Sequence, residues 1–375
     1  MYPNHCYAEG WGSSAIFVHN NCKHKTFKSA MKKTGFIIFF AIFIAACNNR
    51  ENTPDISNVT VTLKTERFDV SFFSLDTNHL AAGLAALQSR YPKLLPVFLK
   101  SIVGVDDENG IKNFFGLYKP LYDSSQKLYQ NFENVQGQIE KALKYVKYYF
   151  PGYITPARII PIVGPMNTMN DLAKMGNGDL TPNFMGPDFI GISLQFYLGK
   201  DFSWYNQEYF INTVVPLYRS RRFSREYIVA DVMKLVADDL FPDRSNTKPL
   251  IEQMIERGKH WWLIDKFLPG TPDSIKTGYT QQQLDWCNEN EGLIWGYIIK
   301  NEDLYDLNPA TIQTYIGESP FTQVFSQEYS PGNLGPWIGL QIVKKYAEKQ
   351  AGMKPEDIMK ASARQILEGA KYKPK

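Results

Sequence analysis

An uninterrupted apolar stretch near the beginning of the chain spans residues 36–47. Its dozen residues are fewer than the roughly 20 that a membrane-spanning helix requires. The stretch follows Met31-Lys32-Lys33 and ends in Ile44-Ala45-Ala46-Cys47, so basic, apolar and small residues precede a cysteine. This order is typical of a bacterial lipoprotein signal peptide. We therefore expect cleavage before Cys47 and attachment of diacylglycerol to the Cys47 thiol.

These signals divide the chain into three predicted parts. A signal peptide acts near an N-terminus, so Met31 is the expected start, and residues 1–46 are an upstream extension plus the leader. Residues 47–60 are polar, contain Pro54 and are typical of a tether between lipid and folded domain. Residues 61–375 are predicted to form one globular domain.

The pattern of apolar positions changes along this domain. Alternation, weak in the first case, predicts strands within Val59–Val70, Ala157–Val163 and Phe189–Leu198, the last half-buried. Residues 164–187, rich in Gly, Pro and Asn, predict a loop or short hairpin. Spacings of three and four over Leu128–Val146 predict one amphipathic helix that ends at Phe150. Further helices are predicted over 77–90, 225–240, 247–263, 281–300, 309–317, 335–350 and 355–370.

This order of elements predicts the fold class. Strands early and helices late favour an α+β fold, a single domain in which the early strands are packed by a predominantly helical C-terminal half. The glycines around residues 332–339 form a predicted tight turn into a helix, where Gly339 allows close packing.

Charge and cysteine content exclude some classes of partner and bond. Five of the 41 basic and one of the 38 acidic residues lie within residues 1–46, which leaves 36 and 37. Because phosphate recognition requires a concentrated basic face, we expect no nucleic acid partner. Cys47 and Cys287 are the cysteines that follow the leader. With Cys47 lipidated, Cys287 has no partner for an intrachain disulfide.

Motifs for catalysis are weak in this sequence. A His-Glu-x-x-His zinc motif is absent, and the histidines after the leader, His79 and His260, lie far apart. Cys287 lacks a neighbouring histidine, and a core role is favoured for it. The sequence therefore predicts no catalytic residue, no cofactor and no metal ligand, and we expect that the protein is not an enzyme.

Three carboxylates are weighed as candidates all the same. Glu289 and Glu291 flank Asn290 on different sides of a predicted helix. Asp231 lies on the apolar face of the 225–240 helix, where a buried carboxylate requires a partner. A structural hydrogen bond is the favoured interpretation of Asp231.

Short segments throughout the chain together form an ordered set of motifs. In the first half they are Glu66-Arg67-Phe68-Asp69, Phe72-Phe73, Tyr91-Pro92, residues 149–153, residues 191–199 and Pro216-Leu217-Tyr218. In the second half they are Glu226-Tyr227-Ile228, Gly258-Lys259, Leu268-Pro269, Gly278-Tyr279-Thr280, Trp286, Asn290-Glu291, Ile294-Trp295 and residues 330–343. In this order, the segments resemble the GldB gliding-motility lipoproteins of Bacteroidetes. The ordered set is more specific than any single segment.

The resemblance implies a non-enzymatic component of the gliding machinery, bound to the membrane through Cys47 by diacylglycerol and an N-linked acyl chain such as palmitate. It implies partners among other gliding or type IX secretion envelope proteins. The residues after Cys47 lack a dense acidic run, which favours the periplasmic face of the outer membrane over the cell surface.

Two further hypotheses remain open. The order of elements also resembles zincin-type peptidase domains, in which the zinc-binding helix would fall on residues 228–236. Asp231, Val232 and Leu235 then occupy the motif positions, with Glu256 near a third ligand position, which implies a pseudo-peptidase kept for binding. The alternative function is a glycan-binding or glycan-processing lipoprotein, and exposed, coplanar rings among three tryptophans would favour it: Trp204, Trp261 and Trp262.

Overall fold

A small sheet lies at the centre of the N-terminal half. The computed structural model describes residues 53–168, 182–301 and 304–374. Within them the sheet contains β1 (Lys64–Thr65), β2 (Arg158–Ile162), β3 (Phe184–Met185) and β4 (Phe189–Ser193), in the order β1-β2-β4-β3. The pairs β1–β2 and β2–β4 are parallel, whereas β3–β4 is antiparallel. The α+β prediction is confirmed: a small early sheet is followed by a helical C-terminal half.

The three predicted strands are found with different bounds. The strand predicted over 157–163 is confirmed as β2. Of the strand predicted within Val59–Val70, only β1 is found, because a helix begins at Phe68. β4 ends at Ser193 and all five of its residues are buried, so the half-buried prediction is wrong. Gly191 and Ser193, the less apolar positions of the predicted alternation, have small side chains and are buried like the apolar positions between them. The predicted loop at 164–187 lies largely outside the described residues, and its described parts include a 3₁₀ turn, Met166–Thr168, and β3.

Helices make up most of the remaining structure. Between β1 and β2 they are α1 (Phe68–Phe73), α2 (Leu80–Arg90), α3 (Leu94–Val97), which continues into a π-helical turn, α4 (Glu108–Tyr129) and α5 (Glu133–Tyr149). After β4 they are α6 (Glu208–Thr213), α7 (Leu217–Ser220), α8 (Ile228–Leu240), α9 (Leu250–Phe267), α10 (Asp273–Thr277), α11 (Gln281–Glu289), α12 (Glu291–Asn301), α13 (Pro309–Ile316), α14 (Leu334–Lys349), α15 (Pro355–Lys360) and α16 (Ala363–Ala370). No described helix is long and apolar enough to cross a membrane.

The predicted helix from Leu128 to Val146 is interrupted. α4 ends at Tyr129 and α5 begins at Glu133, whose backbone N–H donates to the Asn131 side chain at 2.7 Å. Asparagine just before a helix satisfies amides that lack an intrahelical partner. Leu128 is 46% exposed and does not belong to the buried stripe of α5. The predicted apolar stripe is confirmed from residue 132 onward, and its extension back to Leu128 is wrong.

Two predicted C-terminal helices are each divided by a break. Residues 281–300 form α11 and α12, and residues 355–370 form α15 and α16. α16 starts with a capping box, in which Ser362 and Gln365 each bond the other's backbone N–H. This Ser-x-x-Gln spacing is a recognised helix start, so the break between α15 and α16 has a local signal in the sequence.

The C-terminal core is centred on the crossing of α9 and α14. A Cβ atom added at Gly339 would lie 1.7 Å from the Met254 carbonyl oxygen, and one at Gly258 would lie 2.2 Å from the Gly339 carbonyl carbon. The two helices therefore touch through backbone at this point. The prediction that Gly339 permits close packing is confirmed.

Candidate functional site

Buried polar residues follow the carboxyl end of β4. The Tyr197 hydroxyl accepts from Asn183 Nδ2 at 2.8 Å, and Asn183 Oδ1 accepts from the Ser193 N–H at 3.3 Å. Gln195, between these positions, is fully buried, and its amide has no hydrogen-bond partner among the described residues. The end of this strand therefore brings polar groups into the core.

Asp231 is the first charged residue of the site. It lies in the first turn of α8, and its side chain is 14% exposed. The Tyr197 hydroxyl donates to Asp231 Oδ2 at 3.0 Å, and Lys234 Nζ donates to Oδ1 at 3.1 Å. Burial, together with the Asp231 charge, raises the pKa of Tyr197 well above its ordinary value, so Tyr197 stays protonated as a donor. Asp231 thus has the partners that a buried carboxylate requires, the Tyr197 hydroxyl and the Lys234 ammonium group.

Two arginines from the end of α7 face the same point. Arg222 Nη2 lies 3.1 Å from Glu318 Oε1, and Arg219 Nε lies 3.9 Å from the same oxygen. Neighbouring Arg221 turns away and donates to the Gly278 carbonyl oxygen at 2.6 Å. Arg219, Arg222 and Glu318 line a small cavity of about 40 Å³, together with Asp231 and Lys234.

A larger cavity of about 250 Å³ lies on the other side of Trp261 and Thr277, which line both cavities. Lys276 Nζ lies 2.6 Å from Asp265 and 2.6 Å from Asp273. Burial alone would lower the pKa of Lys276, but the two carboxylates more than offset it and the pKa is raised. The wall is thus built from paired charges.

The remaining wall of the larger cavity contains apolar and amide side chains. Lys344 Nζ lies 3.0 Å from Asp265 Oδ2 and Lys276 Nζ contacts Oδ1, so the Asp265 carboxylate pairs with two ammonium groups. The apolar and amide side chains of the wall are Ile264, Leu284, Trp337, Leu340, Gln281, Asn288 and Gln341.

The zincin-like positions do not assemble a metal site in the residues described. Val232 is fully buried, and Leu235 packs against the core. Glu256 Oε1 accepts from Lys259 Nζ at 2.7 Å, and that ammonium also holds two backbone carbonyls. Within 53–168, 182–301 and 304–374, no three His, Cys, Asp or Glu side chains are grouped as metal ligands would be.

The other weighed residues have structural environments. His260 Nε2 lies 2.6 Å from the Phe241 carbonyl oxygen, and exposed His79 pairs with Asp76. Cys287 is fully buried, as expected, and burial raises the pKa of its thiol. Glu291 accepts from the Tyr372 hydroxyl and begins a helix separate from that of Glu289.

The tryptophans do not support a sugar-binding platform. Trp261 and Trp262 are 6% and 5% exposed, and half-buried Trp204 packs beside Phe202. The exposed, coplanar arrangement that would favour glycan binding is not present in these three rings. The alternative function therefore loses its main support.

The sequence prediction found Asp231 but missed the cations around it. Lys234 follows Asp231 by three residues, a spacing that places two side chains on one helix face, so this pair was readable. The run Arg219-Ser220-Arg221-Arg222 was also a signal of concentrated charge. Glu318 lies 96 residues after Arg222 and carried no local sign of its role.

Comparison with known proteins places the chain in a family. The family model described as "Gliding motility protein GldB" matches residues 49–374. No curated protein and no solved structure matches the chain. The family match covers well over half of the chain and the whole described structure. The protein belongs to the GldB family of gliding motility lipoproteins.

Proposed function

We propose that this protein is a non-enzymatic, lipid-anchored component of the gliding machinery in the cell envelope. Membership of the GldB family is the observation that carries the proposal. The arrangement at Asp231 supports the non-enzymatic part. Its carboxylate is engaged by Tyr197 and Lys234, and the general-base position of a zincin motif is held by Val232, which cannot accept a proton.

In this proposal, the lipid on Cys47 anchors the protein to the membrane. Cleavage before Cys47 removes residues 1–46, and residues 47–60 tether the lipid to the folded domain of residues 61–375. Two or more acyl chains give stable membrane attachment, whereas a single chain binds marginally. The absence of a dense acidic run after Cys47 favours the periplasmic face of the outer membrane, and the cell surface is the alternative.

The partners of this proposal are other gliding or type IX secretion proteins of the envelope. A folded domain on a short tether stays within reach of proteins in the same membrane, which raises their effective concentration. The pseudo-peptidase hypothesis fits the same role, because a scaffold without catalytic groups still presents a surface for binding.

Genetic complementation tests the anchored motility role. In a gliding relative, deletion of the corresponding gene is expected to abolish colony spreading, and the wild-type protein is expected to restore it. Cys47→Ser is expected to fail although the protein is made. Cys287→Ala is the matched control, because it removes a cysteine in the core, and it should restore spreading if abundance is normal. Normal spreading of the deletion strain would refute the motility role.

The non-enzymatic part has its own test. Purified protein is expected to contain no stoichiometric zinc by elemental analysis and to leave casein and peptide substrates uncut. Proteolysis that disappears in Asp231→Ala, with unchanged thermal unfolding, would show that the domain is an active peptidase.

A further inference from the structure

We propose that the end of the domain at which β1, β2 and β4 begin lies against the membrane surface, with Ile154 inserted among the lipids. The partner of this surface is the phospholipid layer itself and not another protein. The inference adds an orientation of the folded domain to the role proposed above, and it rests on that proposal for the lipid on Cys47.

The length of the tether is the first argument. The compact unit that contains the sheet begins at Asp55, which follows Cys47 by eight positions. Because an extended chain covers at most about 3.6 Å per residue, the lipid on Cys47 lies within about 29 Å of Asp55. A flexible chain of this length has a mean extent of about 15 Å. The part of the domain next to Asp55 is therefore held close to the lipid.

The chain enters the domain beside the loop that leads into β2. β1 and β2 are parallel, Lys64 is paired with Arg158, and the Lys64 N–H donates to the Ala157 carbonyl oxygen at 3.0 Å. The Ala157 N–H donates in turn to the carbonyl oxygen of Asp188, just before β4. Burial alternates from Val59 to Lys64, so the chain before β1 continues in the direction of the strand. The segments that lead into these strands thus lie at one end of the sheet.

Ile154 lies in the loop before β2 and faces solvent. It precedes the strand by four residues and is 89% exposed. Its exposure is the highest among the large apolar side chains of the described residues, and the next, Tyr209, is 69% exposed. Transfer of an exposed isoleucine from water to an apolar phase is favourable. At the end of the domain nearest to the tether, the membrane provides that phase.

The loop holds Ile154 in place. Lys147 Nζ, in the last turn of α5, donates to the Tyr153 carbonyl oxygen at 2.9 Å, and the Tyr153 hydroxyl donates to Asp239 Oδ2 of α8 at 2.8 Å. The Tyr153 N–H donates to the Phe150 carbonyl oxygen at 2.9 Å. These bonds fix the residue before Ile154 to two helices. Insertion into lipid therefore costs little conformational entropy, because the loop is already ordered.

Tyr148 adds an amphipathic side chain where this loop begins. It lies in the last turn of α5, is 46% exposed, and packs edge-on against Tyr149. Tyrosine is enriched at membrane–water interfaces, where its ring and its hydroxyl meet different phases. Arg158, at the start of β2, already pairs with Asp188 and Glu66 and is not free for an anionic headgroup. We therefore expect apolar contact to carry the docking, so that neutral lipid is sufficient.

Fluorescence quenching in vesicles tests this orientation. The mature lipidated protein is reconstituted into phosphatidylcholine vesicles, with and without a lipid that carries a nitroxide near its headgroup. Gly152→Cys, labelled with the fluorophore NBD, reports on the loop while Ile154 stays intact, because a Cβ at Gly152 would meet no atom within 4 Å. The thiol of Cys287 is buried and its pKa is raised, so it remains unlabelled. NBD at residue 152 is expected to be quenched by the nitroxide lipid.

Gly296→Cys is the matched reporter on a different apolar surface. A Cβ at Gly296 would also meet no atom within 4 Å, and this glycine lies in α12 between exposed Leu293 and Ile299. We expect the nitroxide lipid to leave NBD at residue 296 unquenched. Stronger quenching at residue 296 than at residue 152 would overturn the proposal, because α12 would then face the membrane.

Ile154→Ser, added to the Gly152→Cys reporter, tests the side chain itself. Burial of an exposed isoleucine favours the docked orientation by about tenfold or more, so most of the quenching at residue 152 is expected to be lost. Ile299→Ser is the matched control and should leave this quenching unchanged. Both residues are exposed, so the temperature of unfolding should not change. Equal quenching with and without the Ile154→Ser change would overturn the proposal.

Mass spectrometry of the same preparation separates the docked orientation from the anchor on which it rests. Protein without diacylglycerol on Cys47 would refute the anchor, and the docked orientation with it. Lipidated protein without quenching at residue 152 would overturn the docked orientation alone. In that case the lipid anchor and the motility role would still stand, because the spreading assay does not depend on how the domain is oriented.

Discussion

The helix α9 takes part in two regions that are stabilised in opposite ways. At Gly258 it meets α14 through backbone contact, with no side chain between the two helices. One and two turns later, Trp261 and Asp265 line the larger cavity beside α10, where paired charges surround open space. The first region is closed to any added atom, whereas the second is a polar cavity lined by paired charges. A single helix thus takes part in a closed backbone contact and also forms part of the wall of a cavity.

The largest expected effect breaks the backbone contact. In Gly339→Ala the new Cβ would overlap the Met254 carbonyl, so α9 and α14 must separate along their length. Overpacking in a core costs about 1–3 kcal/mol, and backbone cannot rotate away, so we expect about 3 kcal/mol or more. The free energy of unfolding, from urea titration, measures this.

Gly296→Ala is the control for that variant. Gly296 lies within α12, and a Cβ there would meet no atom within 4 Å. Because alanine favours helix over glycine, we expect a gain of up to about 1 kcal/mol. Equal losses in Gly339→Ala and Gly296→Ala would refute the close-contact argument.

A second variant tests the ammonium beside the crossing. Lys259 is 2% exposed, and its Nζ donates to the carbonyl oxygens of Met359 and Ala361 as well as to Glu256. Lys259→Met retains most of the side-chain volume but leaves these acceptors unsatisfied. Since each buried acceptor costs about 1–3 kcal/mol, we expect a loss of about 2–3 kcal/mol in unfolding free energy. A neutral result would mean that water replaces the ammonium group.

The two regions also differ in how far the sequence predicts them. Gly339 stood in a glycine-rich turn before a periodic helix, so local pattern was enough to predict close packing. The periodicity of α8 likewise placed Asp231 on a buried face. The charged pairs that line the two cavities come from distant parts of the chain, such as Arg222 with Glu318 and Asp265 with Lys344. Local periodicity carries no information about such pairs, so the sequence did not predict the two cavities.

Within the polar region, Tyr197 is expected to matter most for stability. Tyr197→Phe removes the donor to Asp231 and the acceptor of Asn183 while the ring stays in place. A buried hydrogen bond contributes about 0.5–1.5 kcal/mol, and more when one partner is charged, so we expect a loss of about 1–2 kcal/mol. Thermal unfolding at neutral pH measures the loss. A change below about 0.3 kcal/mol would indicate that Asp231 and Asn183 find other partners.

The smallest expected effect concerns Lys276 and is lost at alkaline pH. Its folded pKa is raised above the unfolded value of 10.5, so the ion pairs with Asp265 and Asp273 stabilise the fold fully below that pH. This contribution is lost as pH rises through the folded pKa, because the folded state then gives up a proton that the unfolded state has already released. Lys276 remains partly open to solvent, which reduces the effect to about 1 kcal/mol or less. We therefore expect Lys276→Met to be slightly less stable than wild type at pH 8, with the difference shrinking above pH 10.5. A difference that stays constant from pH 8 to pH 11 would show that Lys276 acts through packing of its alkyl chain. The larger cavity would then be stabilised by packing, as the α9–α14 crossing is, and not by its ion pairs.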